Sequence, residues 1–395
     1  MRRCFGIVIA RPTGAEEVGG MAQEPWKNPD RAQRLAILGL WAIPGIGPKT
    51  LDAIRTTLGG DISVAIRTPV HEWAPAIKLP LPVRQLLERI GDLAELAMNL
   101  TQHAEGNGIS IAYQGDPAFP GNLIGLADAP PLLFYRGTPG PARRRVAMVG
   151  TRHPTSDFKP RAKQIAREIA AGGIGIVSGA AQGVDTLCHQ GALAACGETW
   201  AFVGSALDEL DSAQAKLLPS FLNGAGTFYT ELPMGVRAST TSFPRRNRLI
   251  SGAADAVLIL RAGANSGALH TARAATRQGR PLLAIPGEPN DESAYGCNDL
   301  IRKGDAKLWM EPKDLFDALR MDPVFTAPVG REPVDFQQLS ANARLAYEAL
   351  DRFPRSLDEV GEACQMRSAD LISGLCELEL MGLIIQHPGK LYEKV

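Results

Sequence analysis

The chain carries no excess of charge of either sign: 42 Lys+Arg stand against 42 Asp+Glu in 395 residues. Attraction of the whole molecule to nucleic acid or to a membrane surface is thereby excluded, and any polyanion site must come from local clustering of Arg and Lys. Aromatic residues are also scarce, at 6%, so a row of stacked bases on aromatic rings has little to draw on. The six cysteines (Cys4, Cys188, Cys196, Cys297, Cys364 and Cys376) form no CxxC pair, and their spacing fits neither a zinc site nor a disulfide framework. That usage points to a reducing compartment. No apolar run approaches the roughly 18 residues of a membrane span. The GxSxG elbow, the HExxH zinc motif and the GxxxxGK[ST] phosphate loop are all missing. Together these absences predict a cytoplasmic protein with no catalytic set, no metal and no cofactor.

What is present is apolar content sufficient for several cores: 45% hydrophobic residues over a length that suits two or three domains. The opening "MRRCFGIVIARPTG" has a short apolar run behind two arginines, too short for a convincing signal peptide. Residues 1–27 are expected to be disordered or a misannotated start, with Met21 as the alternative first residue. Residues 28–105 read as helical, since "RAQRLAILGLWAI" and "VRQLLERIGDLAELAMNLTQHA" place apolar residues three and four apart. Between them "IPGIGPKTLDAI" matches a helix-hairpin-helix turn. There Gly45 and Gly47 let backbone N–H groups approach a phosphate, and Lys49 sits at the start of the following helix. These three are candidates for a second DNA contact, although the same turn can simply join two packed helices.

Residues 106–312 alternate short apolar runs with helical stretches. After a Pro- and Gly-punctuated entry containing "PPLLFYRG" come "RVAMVG", "IGIVSG", "TWAFVG", "TFYTE", "AVLIL" and "PLLAIPG", with amphipathic patterns such as "KPRAKQIAREIAAGG" between several of them. The alternation predicts a Rossmann-like, doubly wound parallel α/β sheet. A linker is expected over 313–334, around "MDPVFTAPVGREPVD". Residues 335–395 read as a winged-helix-like domain. Ser356 and Glu359 form a capping box, Leu371, Leu375 and Leu378 share a helix face, and two short strands flank Pro388 and Gly389. Its near-balanced charge suits a protein-interaction module at least as well as a DNA reader.

Ligands of such a sheet bind beyond the carboxyl ends of the strands. The residues there are nearly all small: "GTR" at Gly150 to Arg152, "SGAAQGVD" at Ser178 to Asp185, "GSALD", "TELP" and "RAGANSGALHTA". Backbone N–H groups and hydroxyls in such loops bind anions without selecting a base. Leading from the same edge, "SFPRRNRLISG" reads as an arginine-rich loop, with Arg245 at a solvated position. Phe243 is the one aromatic nominated for stacking, although burial is its expected fate. Asp185 and His189, one helical turn apart, read as loop-shaping residues rather than an acid–base pair. Ser266 reads as a helix N-cap and Thr271 as a helix-face hydroxyl.

In order, "DPAFPGNLIGLADAPPLLFYRG", "VAMVGTR", "IVSGAAQGVDTLCHQGAL", "FPRRNRLISG", "SGALHTARAATRQGR", "AIPGEP" and "YGCNDLIRKGDA" resemble the DprA/Smf DNA-processing proteins over roughly 115–310. The resemblance implies a homodimer that binds single-stranded DNA and loads a RecA-type recombinase in natural transformation. It implies no classical enzyme activity. By motif, Gly150, Thr151 and Arg152 hold a phosphate, while Ser178, Gly179, Gly183 and Asp185 shape the neighbouring turn. Phe243, Arg246, Asn247 and Arg248 match the F-P-x-R-N-R signature, and Ser266, Gly267 and Thr271 match S-G-x-x-x-T. Two positions depart from the pattern: Ala206, where a glycine is usual, and Arg261, where an acid is usual. Two other readings remain at this point. One is a nucleotide-binding enzyme or sensor of the phosphoribohydrolase kind, whose Pro-Gly-Gly-x-Gly-Thr loop is lacking. The other is a protein-interaction adaptor.

Overall fold

The computed structural model describes residues 26–140, 144–320, 339–350, 355–381, 383–387, 389 and 391–394. The expectations for the first 25 residues, for most of the linker and for Pro388 lie outside the described residues. Two compact units divide the chain near Thr326.

The first unit opens with helices α1 (Arg31–Trp41), α2 (Pro48–Thr57), α3 (Val70–Trp73), α4 (Leu81–Ile90) and α5 (Leu93–Gly106). Asp30 and Gln33 cap α1 reciprocally. The α1–α2 turn needs glycine at Gly45, which has φ +93° and lies so close to Val83 that a Cβ would clash. The long amphipathic run read as continuous helix is broken. Gly91 takes φ +72°, and Asp92 then caps α5 by accepting the N–H groups of Ala94 and Glu95. These helices form no separate domain: Ile37, Leu40, Leu51 and Leu87 share one core with Phe134, Phe221 and Phe228 of the following α/β part.

Nine strands follow among the described residues: β1 (Ser110–Tyr113), β2 (Leu132–Gly137), β3 (Arg145–Gly150), β4 (Gly175–Ser178), β5 (Thr199–Phe202), β6 (Gly226–Thr230), β7 (Ala256–Arg261), β8 (Leu282–Ala284) and β9 (Lys307–Leu308). They form one sheet in the order β1-β2-β6-β5-β4-β3-β7-β8-β9. The strands from β6 to β9 in that order are parallel, and β2 and β1 extend the sheet antiparallel on the β6 side. The runs predicted as strands are the central members, buried on both faces, which is why they read as continuous apolar stretches. β1 and β9 carry no such run and were not anticipated.

The interleaved helices are α6 (Phe158–Ala171), α7 (Val184–Ala194), α8 (Ser212–Leu222), α9 (Ser242–Gly252), α10 (Ala268–Arg277), α11 (Tyr295–Arg302) and α12 (Pro312–Leu319). α9, α10 and α11 pack on one face of the sheet, and α6, α7 and α12 on the other. Two expectations fail here. "SFPRRNRLISG" is helix α9 and not a loop, because Leu249, Ile250 and Ala253 give it an apolar stripe at helical spacing. Residues 313–319, expected in the linker, belong to α12, whose Leu315, Phe316 and Leu319 are buried against α6 and its neighbours. From β3 the chain winds outward through β4, β5 and β6, and from β7 it winds the other way through β8 and β9. The switch between β3 and β7 opens the crevice where doubly wound sheets bind ligands.

The second unit holds α13 (Ala341–Ala349), α14 (Leu357–Cys364) and α15 (Ser368–Leu380) with a small antiparallel sheet of β10 (Arg355–Ser356), β11 (Ile384–His387) and β12 (Leu391–Lys394). The Ser356–Glu359 capping box is present, and Leu371, Leu375 and Leu378 fill the core. This is a winged-helix arrangement.

Candidate nucleic-acid interface

The loop leaving β3 is pinned on both sides. Thr151 donates its N–H to the Arg261 carbonyl of β7 at 2.8 Å, and its own carbonyl accepts the Val184 N–H of α7 at 3.1 Å. Such close approach leaves no room for side chains. A Cβ on Gly150 would lie 2.8 Å from Val184, and one on Gly183, which has φ +95°, would lie 2.5 Å from the Thr151 carbonyl oxygen. Arg152 is held above this turn with its side chain exposed, and its guanidinium carbon is 5.3 Å from the centre of the Phe243 ring. That is cation–π distance. Phe243 is half-buried at the start of α9 rather than in the core as expected, its ring so near Gly204 that a Cβ there would lie 3.3 Å from it.

The second turn, after β4, is built from buried polar groups. Ser178 is fully buried, and its hydroxyl donates to the Met148 carbonyl at 2.6 Å. The Gly179 peptide is clamped: its N–H donates to Asp185 at 3.2 Å and its carbonyl accepts from the Arg246 guanidinium at 2.5 Å. A Cβ there would collide with both partners. Arg246 is only 5% exposed and also donates to the Phe202 carbonyl at 2.5 Å and, through Nε, to Asn247 at 3.1 Å. Burial lowers its guanidinium to about 10, while Asp185 opposes the shift. Burial likewise raises the Asp185 carboxyl despite the arginine facing it.

The signature arginines therefore do not reach out of the crevice. Arg246 ties β4 and β5 together from below. Arg248 is clamped by Glu231 and donates to the Asp128 carbonyl at 2.6 Å. Arg152 and Arg245 are the ones exposed to solvent among the arginines of the two motifs, the latter 58% exposed and 3.9 Å from Glu231. Arg245, expected at a solvated position, is the exposed arginine of the signature. The signal that separates these residues is the helical period, which puts Arg246 on the same face as Leu249, Ile250 and Ala253 and turns Arg245 outward.

Asn247 bridges α9 to the third turn, its Nδ2 donating to the Gly267 carbonyl at 3.4 Å. The cap of α10 is Gly267 rather than Ser266, whose hydroxyl accepts the Ala268 N–H at 3.3 Å, and the space beside Gly267 is open. Thr271 is buried on α10. His189 is fully buried, its Nδ1 2.7 Å from the Thr199 hydroxyl and its ring edge-on to Phe221. The Thr199 hydroxyl itself donates to the Ile176 carbonyl, so Nδ1 of His189 carries the proton. Burial lowers this imidazole to about 3. Among the described residues no hydrogen bond joins His189 to Asp185. Gly45, Gly47 and Lys49 lie on the α1–α2 turn, and among the described residues no hydrogen bond or ion pair connects them to the crevice. Of the two departures, Ala206 is buried with its N–H on the Val236 carbonyl at 2.8 Å. Arg261 turns back to pair with Asp291 and to donate to Ser293 at 3.0 Å.

Among its described residues the crevice thus offers tight glycine turns and the exposed Arg152 guanidinium over the Phe243 ring. That set suits an anionic chain carrying flat bases, read without regard to sequence.

Comparison with known proteins identifies the family. The family model for DNA recombination-mediator protein A matches residues 110–320, and that for the DprA winged helix domain matches 331–390. Protein Smf of Escherichia coli K12 is 30% identical over 283 residues, covering 69% of this chain and 74% of the relative. DNA processing protein DprA of Streptococcus pneumoniae is 35% identical over 203 residues, covering 51% of this chain and 71% of the relative. The X-ray structure of DNA processing protein A from Streptococcus pneumoniae superposes with a TM-score of 0.61 at 27% identity, covering 72% of this chain and 97% of that one. With matched motifs standing at the strand ends of the same fold, the chain belongs to the DprA/Smf family of DNA-processing proteins.

Proposed function

We propose that this chain binds single-stranded DNA across the β3/β7 crevice and acts as a recombination mediator, handing the strand to a RecA-type recombinase during transformation. The observation that carries the reading is the exposed Arg152 guanidinium held over Phe243 beside glycine-built turns. A phosphate on Arg152 would place its base near the Phe243 ring, and the open space beside Gly267 would leave room for the neighbouring backbone. The reading includes self-association into a homodimer, a cytoplasmic location and no bond-breaking step. Asp185 and His189 support this last point, since both are spent on holding loops and strands in place.

The test is fluorescence anisotropy of a labelled oligonucleotide over a salt series. Arg152→Ala is expected to weaken binding to all single-stranded sequences and to lower the slope of log K against log salt by about 0.7, one phosphate contact. Unchanged affinity in Arg152→Ala would remove the proposed site. Equal, weak binding of single strands and duplex by the wild-type protein would favour the adaptor instead.

A further inference from the structure

We infer that helix α6 carries a second stretch of the strand's path, a cationic rail leading away from the Arg152 crevice; this rests on the single-strand reading above. Lys159, Lys163 and Arg167 are all exposed and stand four residues apart on one helix. They form a single line, with about 6 Å between successive Cα positions along the axis, on the scale of one nucleotide step. Arg161 adds a fourth exposed cation on the same helix. The line begins at the amino end of α6, which follows directly from the β3 loop that positions Arg152.

Local stability does not explain this arrangement. Like charges four apart on a helix repel, and cations in the first turn oppose the helix dipole. Among the described residues no carboxylate comes within ion-pair distance of Lys159, Lys163, Arg161 or Arg167. The helix has one acidic residue, Glu168, which is half-buried and bonded to Gln164 at 2.9 Å. At the amino end, Asp157 keeps its carboxyl low through a hydrogen bond to Thr155. The apolar side of α6 (Ala162, Ile165, Ala166 and Ile169) is fully used in the core, so the cationic side is the face left for a partner. A row of unpaired cations in register with a backbone repeat, continuous with a phosphate site, complements a single nucleic-acid strand.

The full-length protein can be tested with thymidine oligonucleotides of about 6 and about 25 nucleotides, the short one spanning only the crevice. The triple variant Lys159→Ala/Lys163→Ala/Arg167→Ala is expected to lower the salt slope on the long strand by about 2, three contacts at about 0.7 each, and to leave the short strand unaffected. Arg152→Ala should weaken both lengths. Exchanging the three residues for the other cation (Lys159→Arg, Lys163→Arg, Arg167→Lys) should restore the long-strand slope. An unchanged slope in the triple variant, with Arg152→Ala still defective, overturns the rail and leaves the crevice standing. Failure of the wild-type protein to bind either length overturns both. Loss of binding to phosphatidylglycerol vesicles in the triple variant, with the long-strand slope intact, would assign the face to an anionic membrane and overturn the rail.

Discussion

Arg246 offers the sharpest test of how the crevice is built. Its guanidinium is buried on the Gly179 and Phe202 carbonyls and faces Asp185. Arg246→Met keeps the length and apolar stem but leaves two strand-end carbonyls and a buried carboxyl without their cation. Removing one partner of a buried charge pair costs about 3–5 kcal/mol. For a unit of this size that is a fall in melting temperature of roughly 6–10 °C, at about 2 °C per kcal/mol. Asp185→Asn, which keeps an acceptor for the Gly179 N–H, should cost less, about 1–3 kcal/mol. Since the two groups act on the same peptide, the double variant should be less destabilised than the sum of the singles by at least about 1 kcal/mol. The assay is thermal unfolding of the four proteins, followed by salt-series binding at a temperature where all are folded. An interior arginine releases no counterion from DNA, so the Arg246→Met salt slope should equal that of the wild type even if affinity falls. Two results would refute the reasoning: a cost below about 1 kcal/mol, or a slope lowered by about 0.7 with stability untouched, the signature of a phosphate contact.

Two further outcomes follow from the same geometry. His189 is held neutral by burial, at about 3 against 6.5 for a free imidazole, so its contribution is complete above pH 6.5 and is lost as the pH falls toward 3. The unfolded chain binds the extra proton in that window, and the loss is up to about 1.4 kcal/mol per pH unit. His189→Leu should flatten the stability profile there in denaturant titrations, and an unaltered profile would contradict the burial argument. Gly183→Ala forces a Cβ at φ +95° against the Thr151 and Arg152 carbonyls. It should destabilise by about 1–3 kcal/mol and weaken oligonucleotide binding by displacing the β3 loop, whereas wild-type binding would show that loop to be unimportant.

Much of the architecture was legible in the chain because buried parallel strands must be apolar from end to end. "RVAMVG", "IGIVSG" and "AVLIL" announce themselves, as does the capping residue Ser356. Edge strands β1 and β9 did not, since pairing on one side only asks little of their side chains. The break at Gly91 was hidden inside an amphipathic period that continues on both sides of it. The shared core of the helical part and the sheet was equally hidden, because no local pattern records which apolar face meets which.

By itself the sequence determined the buried parallel strands of the centre, the small residues at the strand ends and the family to which the ordered motifs belong. All of these are properties of neighbours along the chain. The strand order, the switch between β3 and β7 and the division of labour among the arginines were decided only in the folded protein. Arg245, Arg246 and Arg248 are chemically the same, and charge alone cannot separate them. What separates them is rotation around a helix docked on a sheet. That rotation buries one arginine on backbone carbonyls, clamps another on Glu231 and leaves Arg245 58% exposed, 3.9 Å from the same carboxylate.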